Sequence, residues 1–122
     1  MSYTSRKGYD GEVGALTLLG ALGWPLHRPR TTSYRATDTG DVHGLPWVVS
    51  VKNQAGLRLG TWLDELEVMV ERSPWATGVL VHKRQRCGDP FGWYVTMSGR
   101  LFLPFGQAYI GGGSNDGGIR PT

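Results

Sequence analysis

Residues 40–54 read GDVHGLPWVVSVKNQ. The second half, WVVSVKN, is rich in β-branched residues and alternates. Trp47, Val49 and Val51 fall on one side of a strand, and Val48, Ser50 and Lys52 on the other. Residues 44–46 (Gly-Leu-Pro) mark a turn, so the stretch predicts a β-hairpin with DVHGL as its first strand. Asp41 opens that hairpin and Lys52 stands near its end, which brings an acid and a lysine together. Ser50 shares the face of Lys52. Because Val48 lies on that face too, the lysine should rest partly against apolar surface, beside a carboxylate or a ligand phosphate. Two plainer readings stand next to this one. Asp41 is a common turn-capping residue, and a strand lysine can protect a sheet edge from aggregation.

Upstream, RTTSYRATDTG is polar and without apolar period, a loop, and residues 25–30 read as a short extended segment. Residues 5–22 predict a helix with an apolar stripe of Ala15, Leu16, Leu18, Leu19 and Leu22, stopped by Gly23 and Pro25. Downstream, QAGLRLG leads to a second helix with Thr61 as N-cap and Trp62, Leu63, Leu66, Met69 and Val70 as its stripe. Ser73 and Pro74 end it. TGVLVHKR is apolar before its basic end, as expected for a strand covered on both faces. WYVTM and RLFLPF predict a closing hairpin around Ser98 and Gly99, and residues 106–122 form a Gly-rich tail. The order α, β, β, β, α, β, β, β implies an α/β (α+β) fold, with helices flanking one mixed sheet.

A chain of 122 residues is the size of one domain, and a hydrophobic fraction of 39% is enough for a single core. No run of about 18 apolar residues is present, so no membrane span is predicted. The first residues lack the apolar core of a signal peptide. Cys87 is the sole cysteine, which excludes an internal disulfide and a cysteine-based zinc site. These features suggest a cytoplasmic protein. The net charge is +3, but the charges are segregated: four of the ten acids lie between Asp64 and Glu71. Arg6, Lys7, Arg28, Arg30 and Arg35 load the first third with positive charge, and Lys83, Arg84 and Arg86 form a second group. Such segregation suits a polyanion such as DNA, or is ordinary solvated surface.

Glu12 projects into the apolar stripe of the first helix, between Leu16 and Leu19. A carboxylate there either meets a partner that offsets its desolvation or lies on a rotated, frayed turn. If helix and hairpin pack together, Glu12, Asp41 and Lys52 converge. Two carboxylates can hold Mg²⁺, with waters and a backbone carbonyl completing the shell. The ion lowers the pKa of bound water and stabilises charge on a phosphate, and a lysine can position the water or neutralise the transition state. That is the chemistry of phosphodiester hydrolysis. His27, His43 and His82 show no ligand spacing, although His43 shares the strand face of Asp41.

The ordered set SRKGYDGEVGALTLLGALGW, GDVHGL, WVVSVKNQ, TWLDELEVMVE, TGVLVHKR and WYVTM…LFLPF resembles the PD-(D/E)xK nuclease superfamily, and more narrowly the archaeal-type Holliday junction resolvases found also in phages. The likeness spans roughly residues 5–105. It implies a restriction-endonuclease-like core with a central mixed five-stranded sheet, a nuclease-like domain over residues 1–105 and a tail over 106–122. It implies Glu12 as the helix carboxylate, Asp41 as the metal-binding acid, Val51 as a carbonyl ligand and Lys52 as the catalytic lysine. Gln54 would orient water or phosphate, and Ser33 would place a hydroxyl near the scissile phosphate, with Arg6, Lys7, Arg30 and Arg35 on backbone phosphates. The cofactor would be Mg²⁺, replaceable by Mn²⁺. The partners would be a four-way DNA junction and a second subunit in a homodimer, with the apolar closing strands, Trp75 and Trp93 as core or interface material.

The departure is Ser50, where the family carries Glu or Asp as a direct metal ligand. Glu65, at the edge of the second helix's stripe, is either the substitute carboxylate or a solvated helix residue. The expectation is a Mg²⁺-dependent structure-selective endonuclease. The alternative is a catalytically weak or inactive nuclease-fold protein that binds DNA or serves in an assembly, and a structural protein without a DNA role ranks third.

Overall fold

The computed structural model describes residues 3–26 and 40–112, with side chains for 10–26 and 40–111. Three helices and three strands follow in the order α1 (Tyr3–Gly20), β1 (Val48–Lys52), α2 (Leu59–Glu71), β2 (Gly78–His82), β3 (Tyr94–Thr96) and α3 (Gly99–Gly112). A 3₁₀ turn at Pro90–Gly92 precedes β3. The sheet is mixed and ordered β1-β2-β3. β1 and β2 are parallel, with Ser50 opposite Leu80 and Lys52 opposite His82, and α2 is the crossover that parallel strands require. β3 runs antiparallel to β2.

Alternation along the strands assigns the two layers. Val49, Val79 and Val81 face one side and pack with Ala15 and Leu19 of α1, with Val42, Leu45 and Trp93 around them. Val48 and Leu80 face the other side, where Trp62, Leu66 and Val70 of α2 meet Leu101 of α3. All five residues of β2 are buried, as the apolar run TGVLVH predicts. α1 approaches the body through glycines. A Cβ at Gly14 would lie 2.2 Å from the Trp93 ring, and one at Gly11 would lie 3.1 Å from the Cβ of Asn53.

Several expectations are corrected. Among the described residues the sheet has three strands, not five. The segment DVHGL does not form a continuous strand; Asp41 bonds to β1, its N–H donating to the Val49 carbonyl at 2.7 Å, and His43 makes an isolated bridge. Gly44, with φ +114°, bends the chain away, and its carbonyl accepts from the Trp24 indole. RLFLPF is the start of α3 rather than a closing strand. The helix runs on through Gly106 to Gly112, so the first part of the expected tail is helical. α2 begins at Leu59 with Arg58 at the cap position, so Thr61 lies inside the helix. Leu22 is exposed, just past the end of α1. Trp93 is core, whereas Trp75 is exposed. No described helix is long and apolar enough to cross a membrane.

Candidate functional site

The site is built at the end of β1. The Val48 N–H donates to the Thr77 carbonyl, and the Lys52 carbonyl accepts from the Lys83 N–H, so the even-numbered residues of β1 turn their main-chain groups to β2. Val49 and Val51 therefore direct their N–H and C=O groups to the outer edge. Asp41 closes that edge in two ways. Its N–H donates to Val49, and its Oδ2 accepts from the Val51 N–H at 2.7 Å, so the carboxylate stands where a strand carbonyl would. Gly40 makes the approach possible: its φ is +113°, and a Cβ there would lie 2.6 Å from the Val49 carbonyl oxygen. The Val51 carbonyl opens to the same edge as Asp41.

Ser50 and Lys52 point to the opposite face from Val49 and Val51, toward α2. Ser50 is buried. Lys52 Nζ lies 3.6 Å from Glu65 Oε1 on α2, and both side chains remain partly solvated. Such a pair contributes about 0–1 kcal/mol, so its importance lies in placement rather than stability. Glu65, Val68, Met69 and Arg72 follow at i, i+3, i+4 and i+7, which puts them on one face of α2 and its C-cap. Together Asp41, Ser50, Lys52, Glu65, Val68, Met69 and Arg72 line a cavity of about 430 Å³. Two carboxylates, an ammonium, a guanidinium and a hydroxyl thus surround a partly apolar floor.

The other expected site residues are placed differently. Glu12 is partly buried on α1, which covers the Val49 face of β1, and it does not line the cavity. Gln54 is exposed beyond β1, and its main-chain carbonyl accepts from the Gln85 amide at 3.2 Å. Arg6 and Lys7 lie within α1, their side chains outside the described set, and His27, Arg30, Ser33 and Arg35 fall outside the described residues. Arg72 was not anticipated; its spacing of seven from Glu65 is the signal that would have found it. His43 lines a separate cavity with Trp47 and Trp75.

Among the described residues, no three His, Cys, Asp or Glu side chains converge as a ready-made metal shell. The donor set at β1 nevertheless suits Mg²⁺, which commonly keeps several waters and takes only one or two protein carboxylates plus substrate phosphate. Asp41 and Glu65 are the two carboxylates in place. Beside the site, His82 pairs in register with Lys52 and is buried. Its Nε2 lies 2.9 Å from Thr96 Oγ1, and its ring sits between those of Trp62 and Tyr94. Burial pushes its imidazole below the ordinary value of 6.5.

No family model, curated protein or solved structure matches the chain.

Proposed function

We propose that the chain is a metal-dependent DNA endonuclease selective for branched structures, of the Holliday junction resolvase kind. One observation carries the reading: Asp41, Ser50, Lys52 and Glu65 line a single cavity at the end of β1. Asp41 and Glu65 would hold Mg²⁺, with Glu65 supplying from α2 the carboxylate that Ser50 does not. The ion, when bound, would activate water and stabilise charge on the scissile phosphate. Lys52, held near Glu65, would orient the attacking water and offset charge in the transition state. The Ser50 hydroxyl, one alternation step before Lys52, would hydrogen-bond a phosphate oxygen. Arg72 at the rim would meet a neighbouring backbone phosphate, which adds affinity without reading sequence.

The test is a synthetic four-way junction incubated with purified protein and Mg²⁺ or Mn²⁺, with linear duplex of the same sequence as competitor. Paired nicks on the junction are expected, reduced on the order of 10²-fold or more in Asp41→Ala and Lys52→Ala. Tight junction binding without cleavage under either metal would replace the enzyme with a DNA-binding module built around the neutral Ser50. Binding no tighter to the junction than to duplex would remove branched DNA as the ligand.

A further inference from the structure

α3 is a 14-residue helix that contains Pro104 and Gly106 and ends in Gly111 and Gly112. A helix of this length is marginal by itself, and interior glycine costs about 1 kcal/mol relative to alanine. Burial of an apolar face should compensate. Yet Leu101 is the one buried side chain described on α3, helped by an edge contact between Phe105 and Trp47 at 5.6 Å. The opposite side is apolar too: Phe102, Leu103, Tyr109 and Ile110 are 53, 60, 51 and 72% exposed. With Gly106 they occupy an arc of roughly 120° on the helix. Only Arg100 and Gln107, at i and i+7, interrupt the apolar surface of α3, and a helix with so narrow a polar side has a second apolar face left to cover.

Residues 1–9, 27–39 and 113–122, whose side chains lie outside the described set, hold five large apolar or aromatic residues: Met1, Tyr3, Tyr9, Tyr34 and Ile119. The pattern of the face points to its own copy. Phe102 and Leu103 precede Gly106 by four and three residues, and Tyr109 and Ile110 follow it by three and four. The arrangement is symmetric about Gly106, which is the condition for a two-fold interface in which residue i meets j and j meets i.

We propose that α3 docks antiparallel against α3 of a second copy of this chain, the two Gly106 residues facing each other at the two-fold axis. Phe102 and Leu103 of each copy then meet Tyr109 and Ile110 of the other. The missing side chain at Gly106 allows the axes to approach the lower end of the 8–10 Å range. From the exposures above, and roughly 150–250 Å² for a whole aromatic side chain, the pair would bury on the order of 1,000 Å². That is the lower bound for a specific interface. The inference stands on α3 alone and not on the nuclease reading.

The test is sedimentation velocity of the full chain across micromolar concentrations, with two kinds of variant. The wild type should run at twice the 13.4 kDa chain mass. Leu103→Glu/Ile110→Glu should run as a folded monomer, self-association weakened a hundredfold or more by the unpaired charges. Gly106→Cys, in a Cys87→Ser background, should form a disulfide-linked dimer on mild oxidation, whereas Asp64→Cys on α2 in that background should not. A monomeric wild type, a dimer that survives the double substitution, or failure of Gly106→Cys to link overturns the proposal. So does a monomer that floats with phosphatidylcholine vesicles, which would assign the face to lipid. A dimer that cleaves no DNA leaves it standing, and junction cleavage by a strict monomer overturns it.

Discussion

α2 and α3 are of similar length, thirteen and fourteen residues, and lie on the same face of the sheet. They distribute their apolar residues in opposite ways. α2 turns Trp62, Leu66 and Val70 into the core, and presents Asp64, Glu65 and Glu71 to solvent. α3 buries Leu101 and leaves Phe102, Leu103, Tyr109 and Ile110 outside. The first pattern is a finished surface helix, whose polar side helps to form the charged cavity. The second is a helix whose outward side still has the chemistry of an interior. The lesson is that burial within one chain accounts for α2 but not for α3.

The largest effect should come from the buried side of α2. Leu66 is fully buried, and Leu66→Ala should cost about 2–5 kcal/mol of global stability, read as a lower urea midpoint. Leu101→Ala should act more locally, chiefly speeding hydrogen exchange of the α3 amides while those of α2 and β2 stay protected. If α3 amides remain as protected as those of α2 in Leu101→Ala at dilution, the contrast between the helices is wrong.

The same contrast explains what sequence reading could reach. α2, α1, β1, β2 and β3 each show a period or an uninterrupted apolar run of strand length, and each formed near its expected place. RLFLPF has no polar side to set a helical period, and a short apolar run is ambiguous between strand and helix. The missing period that misled the reading is the property that leaves the α3 face open. At the site, alternation in WVVSVKN put Ser50 and Lys52 on one face correctly, because period two survives in any exposed or buried strand. Glu12 is partly buried, at the edge of the α1 face that carries Ala15 and Leu19. Gly11 and Gly14 add the close contacts on that face, which a hydrophobic period does not weigh because glycine has no side chain. Asp41 pairing to β1 through its side chain has no periodic signature, whereas Arg72 follows Glu65 by seven residues but stands at the cap, where the helical period ends.

A smaller effect, of opposite sign in two assays, should appear at Gly106. A Cβ there would meet the Phe102 ring at 3.5 Å, an ordinary contact. Gly106→Ala should therefore stabilise α3 by up to about 1 kcal/mol at concentrations where the chain is monomeric. The same methyl, placed at a helix crossing, should weaken self-association. A gain in both assays would show that α3 does not cross its copy at Gly106, and would leave its glycine without a packing reason.

The smallest effect expected is a dependence on pH that belongs to the α2 side alone. His82 lies under α2, 6.0 Å between ring centroids from Trp62, and burial depresses its imidazole below 6.5. At pH above 6.5 the ring is neutral folded and unfolded, and the full stability is present. As pH falls below that value the unfolded chain takes up the proton first, so stability declines until the folded imidazole titrates as well. The slope from one such group is at most about 1.4 kcal/mol per pH unit. His82→Gln retains a partner for Thr96 Oγ1 and removes the titration. The difference in urea midpoint between about pH 7.5 and 5.5, above the range where carboxylates titrate, should therefore be smaller in His82→Gln than in the wild type. Hydrogen exchange should place the wild-type loss in α2, β2 and β3 rather than in α3. Equal pH slopes in the two proteins would mean that His82 protonates as readily folded as unfolded, and that the α2 layer is more open than its packing implies.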